Sequence, residues 1–118
     1  MRLGRRAVLA TLTIGAMIAL AAPTYSYADA DVDTSFADQL HRYNIYGPRD
    51  YNAWLAKISC ERLGSGRDSD AEKSARFLAA NLPHGTTTAQ TWQFLATAVG
   101  TYCPDLMPSV TSHAASNV

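Results

Sequence analysis

Asp50-Tyr51-Asn52-Ala53-Trp54-Leu55-Ala56-Lys57-Ile58-Ser59-Cys60-Glu61-Arg62-Leu63-Gly64 is the stretch that decides how this chain folds. Its apolar residues recur three and four positions apart, the spacing of a helix and not of a strand. Asp50 is placed to cap the start, and Gly64-Ser65-Gly66 to end it. The segment has two apolar sides. Tyr51, Trp54, Leu55 and Ile58 make one stripe; Ala53, Ala56, Cys60 and Leu63 make another, roughly opposite. Small residues beside a cysteine suit a close helix–helix contact. The bulky aromatics face elsewhere.

Working outward, three more helices are predicted and no alternating strand pattern is found. The first begins at Asp33 or Thr34 and runs to about Tyr43, with Phe36, Leu40 and Tyr43 on one face, and Gly47-Pro48 follows it. Ser69 with Glu72 makes a capping-box start for the third, which turns Ala71, Ala75, Leu78 and Leu82 inward and pairs Glu72 with Arg76 outward. The fourth opens in Thr86-Thr87-Thr88 and lines up Trp92, Leu95, Ala96, Val99 and Cys103 before Pro104 ends it. The tail, residues 105–118, is small and polar without a helical stripe and is expected to be disordered. The fold class expected is all-α: a small compact bundle of four helices with one disulfide.

Residues 1–28 read as a signal peptide. Arg2, Arg5 and Arg6 form a positive n-region, an apolar stretch runs from Ala7 to Ala22, and Pro23 follows. Small residues permit cleavage after Ala28 or after Ala30. The apolar stretch falls short of the ~20 residues that span a bilayer, so no stable membrane anchor is expected. The chain carries ten basic and ten acidic residues. With the leader removed, the seven basic residues left face all ten acidic ones, a balance that argues against a nucleic-acid partner. A secreted, extracellular domain follows. An oxidising compartment favours pairing the only two cysteines, Cys60 and Cys103. Closing that loop stabilises by roughly 4 kcal/mol in the chain-entropy model, a large share for a domain this small.

No catalytic motif is found, and no histidine or further cysteine stands at zinc-ligand spacing. The three histidines, His41, His84 and His113, are scattered over a helix, a turn and the tail. The chain is therefore expected not to be an enzyme and to need no cofactor. Two binding readings compete. Tyr46, Tyr51, Trp54 and Phe94 form a candidate interaction surface, because exposed aromatics on a small domain mark partner binding. Alternatively, His41, Tyr43 and Tyr46 form a candidate site for haem or another small apolar ligand.

A first helix ending Asn44-Ile45-Tyr46, Cys60-x-x-Leu63 with glycines just after it, and a closing Tyr102-Cys103-Pro104 together resemble a family of small secreted, chiefly mycobacterial proteins, domain of unknown function 732 (DUF732). The likeness covers roughly residues 33–104 of the mature region, 29–104. It implies a small all-α exported domain bridged between the two matching cysteines, and it supplies no catalytic residues. Two departures stand out. Members often carry glycine where Asn44 stands, and an apolar residue where Ser59 precedes the first cysteine. The small disulfide-bearing mycobacterial haemophores look similar in outline only. The expected role is a non-catalytic module contacting an unknown protein or cell-envelope partner.

Overall fold

Each helix boundary in the computed structural model traces to a local cap or turn. The structure describes residues 25–116, and their side chains over 30–113. Among these are five α-helices and no strand: α1 (Tyr25–His41), α2 (Arg49–Gly64), α3 (Ala71–Asn81), α4 (Thr88–Tyr102) and α5 (Met107–Ser116), with a 3-10 turn at Pro104–Leu106 between the last two. The signal peptide expected at 1–28 lies outside the described residues up to position 24. The chain divides between Asp31 and Val32, and the packing described below belongs to the part from Val32 onward.

The first helix does not start at Asp33 or Thr34. It is already running at Tyr25, because neither glycine nor proline interrupts the chain between Tyr25 and His41. It ends in a Schellman turn. Ile45 N–H donates to the Leu40 carbonyl at 3.1 Å and Asn44 N–H to the His41 carbonyl at 3.0 Å. Asn44 sits at φ 60°, the left-handed position of that motif, while Leu40 and Ile45 supply its buried apolar contact. Glycine and asparagine are the residues that best tolerate this backbone.

The other caps fall near the expected residues. Helix α2 starts at Arg49, so Asp50 lies inside the first turn and binds Arg49 at 2.9 Å instead of capping. On α3 the cap is Asp70, which accepts from Lys73 N–H at 3.0 Å, one residue beyond Ser69. Ser69 accepts from the Lys73 ammonium at 2.7 Å. Thr87 and Gln90 form a reciprocal capping box on α4, both bonds 3.0 Å. Gln90 Nε2 also donates to the Tyr43 carbonyl at 3.1 Å, tying the start of α4 to the end of α1.

Helix α4 is central and packs on α2, α3 and α5. Thr91, Phe94, Leu95, Ala98 and Val99 are buried along it. Phe94, expected on the surface, is fully buried and meets Phe36 edge to face at 5.5 Å. Its wheel is rotated from the expected stripe because partners surround the helix on several sides, so one stripe cannot describe it. Cys60 and Cys103 are bonded, with Cα atoms 5.9 Å apart. As the small residues required, Ala53 and Ala56 are buried on α2, whose main neighbour is α4.

The tail is a second correction. It was expected to be disordered, yet residues 107–116 are helical and Val110 is buried. Its helix needs no long stripe. Met107, Val110 and His113 make one narrow edge at three-residue spacing, and His113 stacks on Trp92 at 4.1 Å. A Cβ on Gly100 would lie 3.2 Å from Met107 Cε, the far end of a flexible side chain, so the two helices meet here with little room to spare.

Candidate interaction surface

On α2 the buried arc holds Asn52, Ala53, Leu55, Ala56 and Ser59. At about 100° per residue, Trp54 falls almost diametrically opposite the centre of that arc. Leu55 therefore leaves the aromatic stripe for the core, whereas Trp54 is 54% exposed and Tyr51 39% exposed. The two rings lean together at 5.8 Å between centroids. The Tyr51 hydroxyl donates to the Asn81 carbonyl at 2.9 Å, which fixes the ring against the C-terminus of α3. Among the described residues, no partner accepts a hydrogen bond from the Trp54 indole. It borders a groove of about 650 Å³ that Ile58, Glu61, Arg62, Ser65 and Arg67 complete. Ile58 was legible as part of the stripe; Arg67, which joins the groove through the loop after Gly66, carried no signal in helical spacing.

Arg62 has a fixed geometry. Its guanidinium forms two 3.0 Å bonds to the Asp68 carboxylate and lies 4.1 Å from the centre of the Phe77 ring. Phe77 is thus partly buried under a cation and is not a free surface aromatic. Ser74 donates to Asp68 at 2.9 Å. Burial alone would raise the Asp68 carboxyl's pKa, but the hydrogen bonds from Arg62 and Ser74, with the charges of Arg62 and Arg67, outweigh it and hold the group below its ordinary value. This network clamps the α2–α3 loop and so holds one wall of the groove. A second one joins α1, α2 and α4: Asp33 accepts from the Tyr102 hydroxyl at 2.6 Å and pairs with Lys57 at 3.3 Å.

The residues of the alternative site are arranged differently. His41 and Tyr46 stack on each other at 4.7 Å, and Tyr46 is 61% exposed. Tyr46, with Asn44, Ile45, His84 and Gln90, borders a separate groove of about 300 Å³, to which neither His41 nor Tyr43 contributes. Tyr43 is exposed, with its backbone carbonyl engaged by Gln90. The structure therefore brings His41 to Tyr46 and Tyr51 to Trp54, without gathering the carrier residues around one cavity and with Phe94 in the core. Among the described residues, no group of three histidine, cysteine or acidic side chains is placed to hold a metal ion. No helix among them is long and apolar enough to cross a membrane.

Fold and surface together define a small disulfide-bridged helical domain that buries Ala53, Ala56 and Ser59 on α2 and shows an aromatic pair on the same helix. The chain belongs to the family described as "Protein of unknown function (DUF732)", which matches residues 28–105. It is 57% identical over 99 residues to the "Uncharacterized protein Rv0559c" of Mycobacterium tuberculosis strain H37Rv, covering 84% of this chain and 85% of that one. The "Uncharacterized protein MT0585" of Mycobacterium tuberculosis strain CDC 1551 matches with the same figures, 57% over 99 residues, 84% and 85%. No solved structure matches.

Proposed function

We propose that the leader exports this chain, and that the released domain acts without catalysis by binding a protein or cell-envelope partner on the Trp54 side of α2. The observation that carries the binding reading is the Tyr51/Trp54 pair. An indole more than half exposed, beside a groove lined by Ile58 and the charged side chains of Glu61, Arg62 and Arg67, offers an aromatic anchor within a polar rim. Export is supported by Arg2, Arg5 and Arg6 ahead of the apolar run, and by a bridge of the kind that oxidising compartments favour.

Two measurements test this. Expressed in a mycobacterial host, the protein should accumulate in the medium with an N-terminus at Asp29 or Asp31; retention in the cell with the leader intact would overturn export. The immobilised mature chain should enrich a partner from envelope or culture-filtrate fractions that the Trp54→Ala variant fails to enrich. Equal capture by both chains removes this face as the docking surface.

The carrier reading has one supporting feature, the exposed His41–Tyr46 pair. Haem ligation there would use the edge of a ring, an imidazole nitrogen of His41 or the phenolate of Tyr46. Titration with haemin decides it: a Soret shift no larger than that given by an unrelated helical protein ends this alternative.

A further inference from the structure

Cys60 and Cys103 are bonded to each other, and of the three methionines Met1 and Met17 lie before residue 29. Met107 is therefore the one sulfur from residue 29 to residue 118 that is not already in a disulfide. It opens α5, directly after the 3-10 turn at Pro104–Leu106. The side chain is half-buried and packs against the main core. Its methyl end meets α4 at Gly100, where a Cβ would lie 3.2 Å from Cε, and the sulfur stands one bond from that contact.

Few side chains hold α5 in place. Among those described, Val110 is buried, Met107 and His113 are half-buried, and Pro108, Ser109, Thr111 and Ser112 are exposed. The three holding residues fall three apart on one edge, with His113 stacked on Trp92 at 4.1 Å. A ten-residue helix does not persist in water by itself, so α5 depends on its packing.

We propose that Met107 is an oxidation site for peroxides, and that its sulfoxide loosens α5 from α4. The thioether sulfur attacks one oxygen of hydrogen peroxide, the O–O bond breaks and an S–O bond forms. The sulfur gives up two electrons, and the proton of the transferred oxygen passes to the leaving oxygen, which departs as water. The bridged cysteines offer no thiolate to compete. The new S–O group is a strong hydrogen-bond acceptor set beside apolar core. It turns toward water, and the methyl end that touches α4 leaves with it. Val110 and His113 are then left to hold the helix, while α2, α3 and α4 keep the bridge and the main core. This site is separate from the Trp54 side of α2 and stands whether or not that surface binds a partner.

The test treats the mature chain with hydrogen peroxide and compares the oxidised and untreated forms by mass spectrometry and NMR. The chain has two tryptophans, so the Trp92 indole N–H is assigned with the Trp54→Phe variant. One oxygen should be gained at Met107. The Trp92 signal should then shift and the amides of Thr111, Ser112 and His113 move toward random-coil positions, with those of α2 unchanged. Met107→Leu keeps the volume without the thioether, so it should seat α5 and ignore the peroxide. If that variant fails to fold, the two forms of the parent chain still give the comparison. Met107 left unoxidised by a dose that converts free methionine in the same tube would overturn the proposal. So would an oxidised chain whose Trp92 and α5 signals stay in place, or one that unfolds throughout. A folded Met107→Leu chain whose α5 loosens under peroxide would equally overturn it, since the oxidation then acts elsewhere.

Discussion

The two sides of α2 both carry apolar side chains and meet opposite fates. One carries Ala53, Ala56 and Ser59, none more than 1% exposed, and the bridge at Cys60. The other carries Tyr51 and Trp54, which the fold leaves in solvent. Charge and size separate them together: the outer side also holds Asp50, Lys57 and Glu61, while the inner side holds Ala53, Ala56 and Ser59 with Leu55 at its edge. The disulfide joins α2 to α4 with Cα atoms 5.9 Å apart, and small residues lie beside it. The lesson is that rings set among charges stay at the surface while small and aliphatic residues turn toward the bridge.

The comparison breaks most readily on the inner side. Replacing Cys60 and Cys103 together by serine is expected to cost about 4 kcal/mol, read from denaturant unfolding. A loss near zero would show that packing alone holds α2 to α4. Leu55→Ala, at the edge of the buried arc and fully enclosed, is expected to cost about 3 kcal/mol in the same measurement. The border between the sides is set by Arg62 and Asp68. Asp68→Asn leaves a partly buried guanidinium without its counter-charge and is expected to cost about 2 kcal/mol near neutral pH. Because the folded carboxyl has the lowered pKa, its contribution is complete above the ordinary carboxylate range and is lost as pH falls through the folded value. The gap between parent and variant should therefore close under acid; a gap that widens would contradict the assignment.

The outer side should barely register in stability. Trp54→Ala is expected to change unfolding by less than about 0.5 kcal/mol while abolishing partner capture. A loss comparable to that of Leu55→Ala would place Trp54 in the core and erase the distinction between the sides.

Much of this was legible in the chain. The helices announce themselves through periodic apolar residues and through caps such as Thr87 with Gln90, and two cysteines admit one pairing. The inward turn of Ala53 and Ala56 followed from their size. Phe94 was misread because α4 is enclosed by several partners, and a single stripe drawn through Trp92 and Val99 rotates its wheel away from the true centre. The tail was misread for a different reason. Met107, Val110 and His113 are a pattern only when Gly100 and Trp92 stand ready to receive them, and tertiary complementarity leaves no period in the segment that depends on it. Ser59 shows the same principle in small: it is fully buried, yet its hydroxyl is satisfied by the Leu55 carbonyl at 3.1 Å, within its own helix. That bond is why a polar residue is tolerated at a fully buried position.

Cys103 closes α4 and opens the 3-10 turn that leads to α5, so the bridge stands at a mechanical junction. Tension applied to the C-terminus travels up the tail and meets the covalent link before it reaches the hydrogen bonds of α4. The load then passes across the sulfurs into α2, and the ring of residues 60–103 cannot be drawn open. A pull on the tail is therefore carried around α3 and α4 by the covalent ring and not through their hydrogen bonds.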